Sequence, residues 1–297
     1  MDEALLRPLV LFIRGGALGD FILSMPLLKA LSQQRNPICL ITRKRYLNIV
    51  PPGCRVDYFL DIESQAVAPL FHDVTRASRR IRNLLHGTRV YAFCHRDSSL
   101  QENLENADIE YFHRLEPRPA KPPHVIEQFF KDADVPLPDD VLTRPLWPED
   151  DLEGDKLWLH PGSGSPSKNA DLEILAQLAA DWQNAYEKPV CVSFGEADLS
   201  LRDPLERRFE GRGIAFETVV MPSLVELKNG LQREARIFVG NDSGVTHLAG
   251  ALGIPAVALF VSTDPRIWHP IGTAKSNVLS KAIETNDAWT RLVANLL

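Results

Sequence analysis

The chain has 297 residues, of which 44% are hydrophobic and 24% charged, and its formal net charge is -6. This length predicts two domains of about 100–200 residues each, and the acidic balance argues against binding duplex nucleic acid through a basic face. No apolar run approaches the ~20 residues that a transmembrane helix needs. The four cysteines lack C-x-x-C spacing, which predicts buried free thiols in a reducing cytoplasm.

The first half of the chain alternates apolar runs with amphipathic segments. Residues 8–13 predict a buried strand rather than a signal peptide, because acidic residues precede the run and no small-residue cleavage site follows. A glycine turn and a helix through Leu31 come next, and Pro26 must kink that helix or mark its first turn. The remaining elements predicted in this half are strands at 38–42, 56–60 and 89–94 and a helix at 124–133.

Residues 135–156 are rich in proline and acid and have no sustained periodicity, which predicts an exposed interdomain linker. The elements predicted after it are strands at 157–160, 190–194, 237–240 and 256–260 and helices at 172–186, 224–233 and 245–252. We therefore predict an N-terminal domain over 1–150, a C-terminal domain over 151–281, and a terminal helix over 282–297 that could pack back on the first domain.

Strands that alternate with helices predict an α/β fold, with two doubly wound parallel sheets covered by helices on both faces. Such sheets bind ligands at the carboxyl ends of their strands. The loops that directly follow strands are therefore the places to look for chemistry.

The first such loop is RGGALGD, residues 14–20. Its glycines permit a tight turn and a close approach of the backbone to a ligand, but the spacing is not the G-x-G-x-x-G of a dinucleotide site. Asp20 is a candidate functional carboxylate. The alternative is that Asp20 is simply the N-cap of the following helix, a role that aspartate fills well.

The second loop, HPGSGSPSKN at 160–169, surrounds Lys168 with small and hydroxylated residues that could bind phosphate. It lacks the P-loop spacing of an ATPase, and a merely flexible loop is the alternative. The third segment is GNDSGVTHLAGALGIPAVALF, residues 240–260, in which a helix begins directly after a strand. Amides at such a helix start bind diphosphate; the alternative makes Asp242 and Ser243 simple caps and His247 a packed polar residue.

Together, RGGALGDFILSMPLLKAL, HPGSGSPSKN and GNDSGVTHLAGALGIPAVALF closely resemble the family 9 glycosyltransferases, the ADP-heptose:lipopolysaccharide heptosyltransferases. The three motifs occur in the family's order and span nearly the whole chain. The resemblance implies the GT-B architecture, in which two Rossmann-like domains face each other across a cleft, the first binding the acceptor and the second the nucleotide sugar.

The resemblance also assigns roles to residues. Asp20 matches the family's catalytic base, which takes a proton from the acceptor hydroxyl during inverting transfer. Lys168 would pair with the donor diphosphate, and Asp242 would orient the sugar or the loop. Either Glu196 or Asp198 would contact the ribose. The other implied donor-site residues are Ser163, Ser165, Ser243, Gly244, Val245, Thr246 and His247.

On the acceptor side the candidates follow strands of the first domain, and solvated surface charge is the alternative for the charged ones. They are Arg14, Gly16, Arg43, His95 and Arg96. The expected substrates are a nucleotide sugar, ADP-heptose by resemblance, and a lipopolysaccharide-core or related glycan. We expect a cytoplasmic monomer that does not bind nucleic acid, and leave open a peripheral contact with the inner membrane.

Neither a cofactor nor a metal is expected. The D-x-D of Asp132 and Asp134 falls at the end of a predicted helix, and the eight histidines lack ligand spacing. The absence of G-x-S-x-G disfavours a serine hydrolase. Two alternatives stay open: a GT-B nucleotide-sugar epimerase, which needs no acceptor, and a non-catalytic relative that binds nucleotide sugar.

Overall fold

The computed structural model describes residues 8–147 and 154–272 and the backbone of 277–280. The chain divides into two compact units. Unit 1 comprises Met1–Gly16 and Leu23–Pro138, and unit 2 comprises Ala17–Ile22 and Asp139–Leu297. The division after Pro138 lies within the proline- and acid-rich stretch, and the helix predicted over 282–297 lies outside the described residues.

Unit 1 is built on a parallel five-stranded sheet in the order β3-β2-β1-β4-β5. Its strands are β1 Val10–Ile13, β2 Ile38–Thr42, β3 Tyr58–Asp61, β4 Arg89–Phe93 and β5 Tyr111–Leu115. Strands β1 and β2 are continuous apolar runs because helices cover both faces of a parallel sheet. The chain order reverses between β1 and β4, which makes their carboxyl ends the switch point of this sheet.

The helices of this half are short apart from the first. They are α1 Leu18–Ser32, α2 Lys44–Leu47, α3 Pro69–His72, α4 Arg79–Leu85, α5 Leu100–Glu105 and α6 Val125–Asp132. Helix α1 begins at Leu18 and contains Pro26, so its first turn lies at the glycine loop and not at the proline. Asp132 ends α6, as the sequence predicted.

Unit 2 contains a parallel six-stranded sheet in the order β11-β10-β9-β6-β7-β8. The strands are β6 Lys156–His160, β7 Val190–Phe194, β8 Phe216–Val220, β9 Ala235–Asn241, β10 Ala256–Phe260 and β11 Asn277–Ser280. The helices are α7 Leu172–Tyr186, α8 Arg202–Gly211, α9 Leu224–Glu234, α10 Gly244–Ala251 and α11 Pro265–Trp268. Here the order reverses between β6 and β9, so the loops after these two strands flank the switch point.

The predicted α/β class with two Rossmann-like units is confirmed. The sequence missed the edge strands β5, β8 and β11. Strands β5 and β8 are half-buried and carry polar residues instead of an apolar run. All four cysteines are free, and burial raises the pKa of Cys39 and Cys191 to about 12. Cys54 is half-buried rather than buried as predicted. None of the described helices is both long and apolar enough to cross a bilayer.

Candidate functional site

Asp20 lies in the first turn of α1. Its carboxylate accepts a hydrogen bond from the amide of Ala17, 2.9 Å away, and so reaches back to the residue that precedes the helix. Asp20 is therefore the third helical residue and not the N-cap. Its side chain is half-buried, and Ala17–Ile22 group with unit 2.

The N-terminus of α10 presents backbone amides. The Ser243 hydroxyl accepts from the Thr246 amide, and the Thr246 hydroxyl donates to the carbonyl of Asn241. The N-cap of this helix is therefore formed by residues of its own segment. Gly244 and Val245 are half-exposed, and no described residue accepts a hydrogen bond from their amides. These two amides, with the helix dipole behind them, form an anion-binding arrangement.

Glycines bring the first turn of α1 against the first turn of α10 within unit 2. A Cβ added at Gly244 would lie 2.7 Å from Cβ of Leu18 and 2.9 Å from the amide nitrogen of Gly19. A Cβ added at Gly19 would lie 2.9 Å from Cδ2 of His247. Neither position can accept a methyl group without displacing its neighbours. The residue next to Asp20 is thus packed directly on the start of α10.

Asp242 is the hub of a buried polar cluster beside this helix start. Lys168 Nζ donates to its Oδ2 at 2.7 Å and the Thr263 hydroxyl donates to the same oxygen at 2.6 Å. His247 Nε2 lies 3.5 Å from Oδ1. Burial by itself would raise the pKa of Asp242, but His247, Lys168 and Thr263 outweigh burial and hold that pKa well below its usual range. Asp242 is therefore an anion at neutral pH.

The same contact gives Lys168 a partner within the protein. The sequence predicts that its ammonium pairs with a diphosphate, whereas in the structure it forms an ion pair with Asp242. Its side chain is 32% exposed, compared with 7% for Asp242. The lysine thus remains within reach of solvent while the carboxylate is enclosed.

Asn241 and Asn169 fix the loop after β6, and the sequence reasoning assigned neither. Asn241 donates to the carbonyl of Pro161 at 2.7 Å and accepts from the amide of Ala170 at 2.8 Å, and so ties both ends of the loop to the end of β9. The Ser163 hydroxyl donates to Asn169 at 2.7 Å. Ser165, by contrast, is half-buried and shares a hydrogen bond with Ser167. An asparagine at the carboxyl end of a buried strand is the signal that could have revealed Asn241.

The structure distinguishes the two acidic residues after β7, Glu196 and Asp198, by their burial. Asp198 is 5% exposed, and its carboxylate accepts from the amide of Gly195. A Cβ at Gly162 would lie 2.1 Å from Cβ of Asp198, so the loop after β6 rests on this residue. The buried His160 is 3.9 Å away, and burial lowers its pKa. Glu196, in contrast, is exposed. Asp198 therefore supports the loops, and Glu196 is accessible to a ligand.

The acceptor-side candidates follow β1, β2 and β4, three adjacent strands of unit 1. Arg14 is buried, with its guanidinium 4.2 Å from the centre of the Phe93 ring. Gly16 has a φ of 95°, and its carbonyl accepts from the Tyr46 hydroxyl.

The remaining acceptor-side candidates are at the surface. Arg43 pairs with Glu63 at 3.0 Å, and His95 lies 3.6 Å from Glu116. Arg96 is exposed. Among residues 8–147 and 154–272, no three His, Cys, Asp or Glu side chains come together in an arrangement that could hold a metal ion.

A comparison with protein-family models finds a match over part of the chain. Residues 215–291 match the sequence model of glycosyltransferase family 9 (heptosyltransferase), which confirms the resemblance that the motifs indicate. This segment includes β9 and α10, with Asp242 and His247. No curated protein sequence matches the chain.

Solved structures share the fold over 97% of this chain. They include a family 9 glycosyltransferase from Veillonella parvula, with a TM-score of 0.71, 17% identity and 88% of its own chain covered. An Escherichia coli ADP-heptose lipopolysaccharide heptosyltransferase II has a TM-score of 0.69, 17% identity and 98% coverage. The E. coli heptosyltransferase WaaC with ADP has a TM-score of 0.69, 16% identity and full coverage. The chain thus has the heptosyltransferase-like GT-B fold.

Proposed function

We propose that this chain, whose residues 215–291 match glycosyltransferase family 9, is an inverting, metal-independent transferase. It would move a heptose or similar sugar from an ADP-sugar to a lipopolysaccharide-core or related glycan acceptor. The observation that carries the proposal is the placement of three groups within unit 2. A half-buried carboxylate, Asp20, follows a glycine packed on α10, and that helix presents two amides beside the Lys168–Asp242 pair.

The chemistry needs a base and a site for the leaving group. Asp20 would accept the proton of the acceptor hydroxyl as its oxygen attacks the anomeric carbon. The bond from that carbon to the diphosphate oxygen breaks, and ADP departs with the bonding electrons. The amides of Gly244 and Val245 would stabilise the negative charge that develops on the diphosphate, and Lys168 would add an ammonium group. No metal takes part in this scheme.

The donor would be oriented by two carboxylates, Glu196 and Asp242. Exposed Glu196 is suited to accept hydrogen bonds from ribose hydroxyls, whereas buried Asp198 holds the loops in place. Asp242, an anion anchored by its neighbours, would accept hydrogen bonds from sugar hydroxyls. The hydroxyls of Ser163, Ser243 and Thr246 bond to the protein itself, so they would shape the backbone around the diphosphate.

The acceptor would be recognised by unit 1. Arg43, His95 and Arg96 would contact anionic groups of a glycan from the loops after β2 and β4. Arg14 and Gly16 would hold the loop after β1 in shape, since both make their contacts inside the unit. We place this reaction at the cytoplasmic face of the inner membrane, with the protein acting as a monomer.

A thermal-shift panel of nucleoside diphosphates, followed by a transfer assay with ADP-heptose, tests the proposal. ADP should raise the melting temperature more than UDP or GDP does, because binding to the native state alone is stabilising. Transfer should require an acceptor and no added metal, and should survive chelation by EDTA. A preference for UDP or GDP would redirect the donor, and donor turnover without acceptor would favour an epimerase.

A further inference from the structure

His247 occupies a buried position in the first turn of α10. Its side chain is 5% exposed, and Nε2 lies 3.5 Å from Asp242 Oδ1. The other ring nitrogen, Nδ1, is buried and has no hydrogen-bond partner among the described residues. A ring nitrogen that faces a carboxylate carries a proton, which makes Nε2 the donor to Asp242. The ring is then fixed by its contact with Asp242.

The His247 ring also packs against Gly19. The ring atom Cδ2 of His247 occupies space that a side chain at Gly19 would need, since a Cβ there would lie 2.9 Å away. His247 therefore fills the gap between the backbone next to Asp20 and the carboxylate of Asp242. One side chain thus touches both the segment of the proposed base and the proposed sugar-orienting acid.

The two oxygens of Asp242 are held from different directions. Lys168 and Thr263 bond to Oδ2, whereas His247 faces Oδ1. In the proposed reaction Lys168 turns toward the diphosphate, which removes the strongest charge from Oδ2. His247 and Thr263 would then be the neighbours that keep the carboxylate in position. An imidazole that is itself wedged against Gly19 is well placed for this.

We propose that His247 is a positioning residue, and not a donor-contacting one. It would set the place of the Asp242 carboxylate relative to Asp20 by bonding to the first and packing against the backbone beside the second. This inference rests on the proposed function for its kinetic consequence. The positional claim itself is independent of activity.

Two substitutions separate the hydrogen bond from the packing. His247→Gln keeps an N–H donor at about the place of Nε2, whereas His247→Leu fills part of the volume without a donor. We expect kcat of His247→Gln to stay within about fivefold of wild type. His247→Leu should lose about 10²-fold in kcat, the effect of a ~1 Å misplacement in an active site. The Kd for ADP should change by less than about threefold in both variants.

Crystal structures of the two variants in a Lys168→Ala background, in which the lysine no longer bonds to Oδ2 of Asp242, test the positional claim directly. In His247→Leu the Asp242 carboxylate should move by more than the ~0.5 Å that a functional site tolerates, and in His247→Gln it should stay in place. An unmoved carboxylate in His247→Leu would overturn the inference, whatever the activity. Absence of transfer by the wild-type protein would instead defeat the proposed function and leave this structural result to stand by itself.

Gly19→Ala approaches the same contact from the other side. The new methyl group would push the ring of His247, so kcat should fall by about tenfold or more while alanine suits the helix. Gly211→Ala is the matched control, because it adds a methyl to α8 where no atom lies within 4 Å. Equal activity of the two alanine variants would contradict the role of the Gly19–His247 contact.

Discussion

The loops after the strands of unit 2 and those of unit 1 are built differently. In unit 2 the polar side chains of Asn241, Asp242, Thr246 and His247 are buried, and each contacts a backbone group or a side chain of the same unit. In unit 1 the charged candidates other than Arg14 lie at the surface, where Arg43 pairs with Glu63. Buried networks cost energy unless they are satisfied, so they fix one geometry. The buried polar groups of unit 2 are therefore fixed by contacts within the protein, whereas the surface charges of unit 1 are less constrained.

The largest effect should come from the carboxylate at the start of α1. Asp20→Asn retains the shape of the side chain and an oxygen that can accept the hydrogen bond from the Ala17 amide, but it removes the base. We expect kcat to fall by about 10²–10⁴-fold, the usual contribution of general base catalysis. The Kd for ADP, measured by calorimetry, should stay within a few-fold. Unchanged turnover would remove Asp20 from the mechanism.

Asp242→Asn tests whether unit 2 depends on its buried anion. Removing one partner of a buried ion pair costs about 3–5 kcal/mol, and the partial exposure of Lys168 should reduce this loss toward about 2 kcal/mol. Urea denaturation at pH 7 measures the difference. A variant as stable as wild type would show that the cluster does not organise the unit.

The pH dependence of the same pair of proteins adds a check. Because the pKa of Asp242 is lower in the folded than in the unfolded state, its stabilisation is present at neutral pH and above about pH 4. It is lost as the pH falls further, through the folded pKa. The stability gap between wild type and Asp242→Asn should therefore narrow below about pH 4. A gap that stays constant down to pH 3 would contradict the assigned charge state.

Lys168→Ala should weaken ADP binding by about 10–100-fold, since a charge-assisted contact to phosphate contributes about 1.5–3 kcal/mol. Lys188→Ala is the matched control. That lysine also belongs to unit 2 but pairs with Asp155 at the surface, with its side chain 49% exposed. Calorimetry should find ADP affinity unchanged in the control. Equal affinities in both variants would mean that Lys168 serves only Asp242.

Arg43→Ala should have the smallest effect on the folded protein. The exposed pair with Glu63 contributes only about 0–1 kcal/mol, so the melting temperature should barely change. If unit 1 binds an anionic glycan, the KM for the acceptor should rise several-fold while the KM for the donor does not. A rise in the donor KM would place Arg43 with the other substrate.

The sequence predicts the central strands well and the edges poorly. Strands such as β2 and β7 are uniform apolar runs, which announce burial on both faces. The edge strand β8 has no such run, and its pairing depends on β7. The hydrophobicity pattern of the sequence therefore predicts a strand where both faces of that strand are buried, and it fails at edge strands such as β8.

The same limit applies to the site. Motif position identified Lys168 and Asp242, but not that they bond to each other, because they are 74 residues apart in the chain. Glu196 and Asp198 could not be separated by sequence, since the burial of Asp198 depends on its contact with Gly162 from another loop. The contact between Gly19 and His247 was likewise out of reach. Residue types predict which chemistry is possible, and tertiary contacts decide which of several similar residues is placed to perform it.

A crystal structure with ADP bound tests the central claim most directly. We predict that diphosphate oxygens lie within about 2.7–3.2 Å of the amide nitrogens of Gly244 and Val245. Lys168 Nζ should leave Asp242 for a phosphate oxygen, and Glu196 should approach the ribose. ADP bound away from the start of α10, with Lys168 still paired to Asp242, would contradict the account.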